Sequence, residues 1–131
     1  MANYSLVGNI DPAIKSMLDD YFEVMHFQDM SLFDKVFHKN CTLYGVVEGA
    51  PSLRPYDIYR EAVANRESPA QKGEARNEHV LMFDQLSPTI ALVKVQLEMF
   101  GGVMQDYLNL VLLDDQWWIM AKMWDRVGDV A

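Results

Sequence analysis

The sequence predicts an α+β domain in which N-terminal helices pack on one face of a curved antiparallel sheet. Three observations carry this expectation. Up to about Arg66, apolar residues recur at three- and four-residue spacing, the period of helices with one buried stripe. After Glu78 the period changes to two and holds to Trp124, which is strand alternation. With 131 residues, half of them apolar, the chain is the size of one domain that buries its own core. Residues 1–131 are therefore expected to form a single domain.

The elements follow in order. Asp11 reads as the N-cap of a first helix with Pro12 in its first turn, where the missing N–H costs nothing. From Pro12 to about Gln28, the residues Ile14, Leu18, Tyr21, Phe22 and Met25 form one apolar stripe. A short second helix opens at Ser31, with Leu32, Phe33, Val36 and Phe37 inward, and closes at "HKNC". "CTLYGVV", Cys41 to Val47, is expected to be a strand, and "EGAPSLRP" a loop. A third helix runs from about Pro55 to Arg66, with Ile58, Tyr59, Ala62 and Val63 on one side, and the polar "ESPAQKGEARN" connects it to the sheet. Four strands complete the chain: about His79 to Gln85, Thr89 to Phe100, Val103 to Leu113, and Gln116 to Trp124.

Two tight turns set the registers of the last three strands. Gly101-Gly102 suits a two-residue hairpin loop, which pairs Phe100 with Val103, Leu97 with Asp106 and Val95 with Leu108. Asp114-Asp115 as a second loop pairs Leu112 with Trp117, Leu110 with Ile119, Leu108 with Ala121 and Asp106 with Met123. Both hairpins select the same apolar inward set, and a one-residue slip would bring Tyr107 and Asn109 onto that face. The tryptophans are thereby divided: Trp117 is expected inward with Ile119, Ala121 and Met123, and Trp118 and Trp124 outward with Met120. Outward-facing Tyr107, Trp118, Met120 and Trp124 are the expected surface of a homodimer through the outer sheet face.

Charge excludes several classes. With 19 acidic against 11 basic residues the chain carries −8, so nucleic acid and anionic membrane would be repelled at long range. The apolar runs are far shorter than the ~20 residues of a membrane-spanning helix. A single cysteine, Cys41, excludes an internal disulfide, and no export signal opens the chain, so the cytoplasm is the expected location. The three histidines, His26, His38 and His79, share no metal-ligand spacing, so neither metal nor cofactor is expected. His26 and His38 close helices, where the dipole favours an imidazolium.

Asp106 is the one inward residue out of place by polarity. A desolvated carboxylate either finds a partner, such as Arg, Tyr or water near the sheet's end, or has its pKa raised, as a general acid or base near neutral pH requires. Tyr21 is either an oxyanion donor into a cavity or a core residue whose hydroxyl reaches the rim. Asp106 and Tyr21 are thus the candidate catalytic residues. The candidate ligand pocket comprises these two with Met25, Tyr59, Leu97, Met99 and Met123, an apolar lining in which methionines adapt to shape.

Four segments resemble one family: "FHKNCTLYG" at Phe37 to Gly45, "IALVKV" at Ile90 to Val95, "QDYLNLVLL" at Gln105 to Leu113, and "DDQWWIMAKMW" at Asp114 to Trp124. In this order they are similar to the group described as putative lumazine-binding, a neighbour of the SnoaL-like polyketide cyclases in the nuclear transport factor 2-like superfamily. The chain departs from the group's pattern at Asp115, where glycine is usual, and at Cys41, where a small residue stands. The resemblance implies a cone-shaped, cystatin-like fold whose open end admits a small molecule. Catalytic members of the superfamily use Asp, His and Tyr in that cavity, and many members have no known reaction. The functional expectation is a binder of a small hydrophobic molecule. The alternatives are an enzyme transferring protons on a hydrophobic carbonyl compound through Asp106, and an interaction module working through the outer sheet face.

Overall fold

A computed structural model describes residues 10–131. Three helices, α1 (Pro12–Phe27), α2 (Met30–Val36) and α3 (Tyr56–Asn65), accompany six strands: β1 (Phe37–Val47), β2 (Ala50–Pro55), β3 (Glu78–Ser87), β4 (Ile90–Met99), β5 (Gly102–Leu113) and β6 (Gln116–Asp129). The strands form one sheet in the order β2-β1-β6-β5-β4-β3. Every neighbouring pair is antiparallel except β1 and β6, which run parallel.

Local chemistry sets the helix ends. The Asp11 carboxylate accepts from Ala13 N–H at 2.8 Å with Pro12 opening α1, and Gln28 closes that helix in the left-handed conformation. Asp29 caps α2 through the backbone N–H groups of Ser31 and Leu32. α2 and α3 are tied where Arg60 forks onto Asp34 at 2.8 and 2.9 Å and the Tyr56 hydroxyl donates to the same carboxylate. The buried stripe of α1, with Ile14, Leu18, Tyr21, Phe22 and Met25, packs with Phe33, Phe37, Tyr59 and the inward residues of β4, β5 and β6 into one core.

Three corrections to the expected pattern arise at turns and bulges. "EGAPSLRP" is not a loop: Glu48-Gly49 makes a two-residue turn with φ of 52° and 78°, and Ala50–Pro55 pairs with β1 as an edge strand. The β4–β5 turn is Phe100-Gly101, with φ of 54° and 76°, so Met99 faces Gly102 and Asp106 faces Val95 instead of Leu97. A shift of two residues preserves which face each side chain takes, so the inward set of β4 and β5 stands.

The third correction changes a face. Asp114-Asp115 forms the second turn as expected, both residues at positive φ, and Leu112 pairs with Trp117 and Leu110 with Ile119. Asn109, however, pairs with Ala121, leaving Met120 as an extra, unpaired residue. This bulge reverses the alternation of β6 beyond it. Lys122 now lies opposite Leu108 and Trp124 opposite Asp106 on the helix-facing side, while Met123 turns outward and is 55% exposed. A further irregularity in β3, between Val80 and Met82, adds to the bending of the sheet. Among the described residues no helix is long and apolar enough to cross a membrane.

Candidate functional site

Asp106 and Lys122 occupy neighbouring strands beneath the helices, 2% and 6% exposed. The Lys122 Nζ stands 3.6 Å from Asp106 Oδ2, and the same oxygen accepts a short hydrogen bond from the Tyr21 hydroxyl. Nζ also lies 5.2 Å from the centre of the Tyr21 ring and 5.5 Å from that of Tyr59, with Met25 Sδ at 3.9 Å. A buried ammonium is costly unless compensated. Here one carboxylate and the negative faces of two aromatic rings compensate it.

The titration of these groups follows their surroundings. Burial would depress the Lys122 pKa, but the charge of Asp106, helped by the Tyr59 phenol, outweighs it and holds the ammonium above its ordinary range. Burial first, and then the negative charge of Asp106, pushes the Tyr21 phenol well above its usual value. At neutral pH Tyr21 is a neutral donor and Lys122 a cation.

Above this group opens a pocket of about 460 Å³ between α3, the β1–β2 turn, the β4–β5 turn and the end of β6. Met25, Leu43, Tyr59, Met99, Met104 and Trp124 supply its apolar walls, and Asp106 and Lys122 reach its floor. Arg66, Arg54, Arg126, Glu48 and Asp125 bring the remaining charges.

Among the residues expected to line a pocket, Met25, Tyr59, Met99 and Asp106 do so. Tyr21 is fully enclosed, and its hydroxyl is committed to Asp106, so it does not point into the cavity as an oxyanion donor. Leu97 is core beneath the pocket, not lining. Met123 is removed to the outer face by the bulge, where it lines a second concavity with Tyr44 and Tyr107. Trp124 moves the other way: it leaves the expected dimer surface, packs against the core and lines the pocket, with Gly45 so close that a Cβ there would stand 3.2 Å from Trp124 Nε1. Tyr107, Trp118 and Met120 remain outward or partly so, with Trp118 edge-on to His38 at 5.3 Å. His26 stands against the ring of Phe27, and burial, followed by the Arg76 charge, holds its pKa below the ordinary value, so the dipole does not prevail there.

Lys122 and Arg66 are the functional candidates that strand alternation missed. A signal for Lys122 was present: a buried carboxylate calls for a cation, and "MAKMW" carries one within a bulge's reach of Asp106. Arg66 offered no such signal, because its position at the C-cap of α3 is settled only when that helix docks beside α1.

The family model described as "Putative lumazine-binding" matches residues 10–125. The chain is similar to an NTF2-like protein of unknown function from Shewanella baltica, with 19% identity, a TM-score of 0.76, and coverage of 89% of this chain and 97% of that one. A second such protein, from Methylobacillus flagellatus, is 21% identical over 93% and 97% of the two chains with a TM-score of 0.73. A ketosteroid isomerase-like protein from Erwinia carotovora atroseptica is 12% identical over 88% and 95%, with a TM-score of 0.67. At these identities the likenesses establish a shared fold. No curated protein sequence matches the chain.

Proposed function

The chain belongs to the putative lumazine-binding family of the nuclear transport factor 2-like superfamily, and from that premise we propose that it binds a small, largely apolar molecule in the pocket over Asp106 and Lys122. The observation that carries this reading is the pocket's composition: aromatic and methionine walls around a small, buried, fixed polar group. Binding sites for small molecules have this make-up, since apolar area supplies affinity and a few polar atoms set orientation. A fused bicyclic ring bearing carbonyls, such as the lumazine in the family's description, suits these walls and this floor.

Acid–base chemistry through Asp106 is the second reading, and it rests on that carboxylate reaching the pocket floor. Its geometry favours binding over turnover. Asp106 already holds both a phenol donor and an ammonium, and a proton-transferring base must release such partners to meet a substrate proton.

Calorimetric titration with lumazine and with neutral 2-naphthol tests the binding reading. Wild-type protein is expected to bind at one saturable site, and Met104→Trp, which fills the pocket, to abolish binding. Absence of saturable binding by either compound overturns the reading.

We propose in addition that two copies pair through the outer sheet face. Tyr107 and Met123, 43% and 55% exposed, stand there with the partly exposed Trp118 and Met120. Large apolar side chains gathered on one face are characteristic of contact surfaces.

A further inference from the structure

We infer that the pocket's ligand carries an anionic group, a carboxylate or its equivalent, and that Arg66 receives it. This deepens the binding reading above and rests on it.

The observation is an uncompensated cation. Arg66 lines the pocket from the end of α3, and its Nη2 is buried with no hydrogen-bond partner, the one such side-chain atom among the described residues. Buried donors are nearly always satisfied, more so when charged, because an unmet donor forfeits its hydration without return. The other interior cation is compensated: Lys122 has Asp106. At the mouth, Arg126 has Asp129 at 2.5 Å. Arg66 makes no ion pair among the described residues. Its neighbours hold it in place without neutralising it. Nε donates to Gln28 Oε1 at 2.6 Å, the Gln28 amide donates back to the Arg66 carbonyl at 2.7 Å, and the guanidinium stacks over Phe100 at 4.9 Å.

Such an arrangement is preorganised. The guanidinium is held before any ligand arrives by one hydrogen bond, to a Gln28 amide that is itself anchored on the Arg66 carbonyl, and by the Phe100 ring, so less side-chain entropy remains to be lost. Arg54, also lining the pocket and without an ion-pair partner among the described residues, adds positive charge from the edge strand. In a chain of net charge −8, a guanidinium that lines this pocket with no ion-pair partner among the described residues marks the anionic end of what enters it. The floor, by contrast, is self-neutralised by Asp106 and Lys122. The ligand is therefore an apolar body with its anionic group at the α3 wall.

A matched pair of probes separates this inference from the binding reading beneath it. The compounds are 2-naphthoate and 2-naphthamide, equal in shape and different in charge. Wild-type protein is expected to bind the carboxylate about tenfold more tightly, the scale of one charge-assisted bidentate contact. Arg66→Met is expected to bind both alike, the preference for the carboxylate being lost. Equal binding by the wild type overturns the anion assignment and leaves the pocket reading standing, and a preference that persists in Arg66→Met overturns the role of Arg66. Failure of both compounds to bind overturns both readings. Because Arg66 also ties α3 to α1 through Gln28, a crystal of the wild type with 6-bromo-2-naphthoate supplies an independent measurement. The bromine locates the ligand, and a carboxylate beyond hydrogen-bond distance of the Arg66 guanidinium overturns the assignment whether or not the variant folds.

Discussion

The ammonium of Lys122 and the carboxylate of Asp106 meet at 3.6 Å inside the domain because one extra residue, Met120, is inserted between their strands' registers. Without that bulge Lys122 would face outward, and Asp106 would keep only the Tyr21 hydroxyl. The bulge therefore decides both the polarity of the pocket floor and the charge balance of the core.

Removing one member of this pair should be far worse than removing both. Lys122→Met leaves a buried carboxylate without its cation and is expected to cost about 3–5 kcal/mol. Combining it with Asp106→Leu should recover most of that loss, since apolar replacement of a buried pair is often close to neutral. Urea unfolding of the two variants against wild type measures the difference. Equal destabilisation by the single and double variants would show the pair to be uncoupled.

Tyr21 should resist ionisation. Its burial and the Asp106 charge raise its pKa, so spectrophotometric titration should find it still protonated where a free phenol has ionised, and Tyr21→Phe should leave the early part of the curve unchanged. The sign of the linkage follows. A raised folded-state pKa means that this contribution to stability is complete below the unfolded value of about 10 and declines as pH rises above it. Loss of the hydrogen bond in Tyr21→Phe is expected to cost about 1–3 kcal/mol at neutral pH, because Asp106 stays buried with one partner fewer.

Cys41 should be inert in the folded protein. Burial pushes its thiol up to about 12, so thiolate-specific reagents at mildly alkaline pH should modify it only after denaturant is added. The raised value again places the associated stability below the unfolded thiol's pKa, with a progressive loss as pH climbs from about 8.5. Cys41→Ala should flatten that alkaline limb. Rapid modification under native conditions would contradict the burial.

The outer face can be tested by one charge. Wild-type protein is expected to sediment as a dimer and Trp118→Lys as a monomer, with unchanged circular dichroism. Trp124→Phe should leave the dimer intact, since that side chain packs against the core instead. A dimer that survives Trp118→Lys would place the contact elsewhere.

Much of the fold was legible in local chemistry. Asp11-Pro12 marked the start of α1 and Asp114-Asp115 the last turn, because capping and positive-φ turns are properties of a few adjacent residues. The edge strand β2 was not legible: "APSLRP" carries two prolines and little alternation, and it becomes a strand because β1 lies beside it to supply hydrogen bonds. The family likeness read from the strand motifs agrees with the matched family model and with the structural neighbours.

What the sequence by itself determined is the order of the three helices and of every strand but β2, the facing of β4 and β5, and the placing of Asp106 on an otherwise apolar face of β5. Each follows from periodicity within one segment or from the chemistry of one turn. Only the tertiary structure decided that Lys122 and Trp124 turn inward, that Met123 turns outward, and that Arg66 lies at the pocket with no ion-pair partner among the described residues. A bulge exchanges a regular ladder for the partner a buried carboxylate needs, and the balance between them is struck across strands β5 and β6. The setting of Arg66 comes from the meeting of α3 with Gln28 and Phe100, residues that no local pattern brings together.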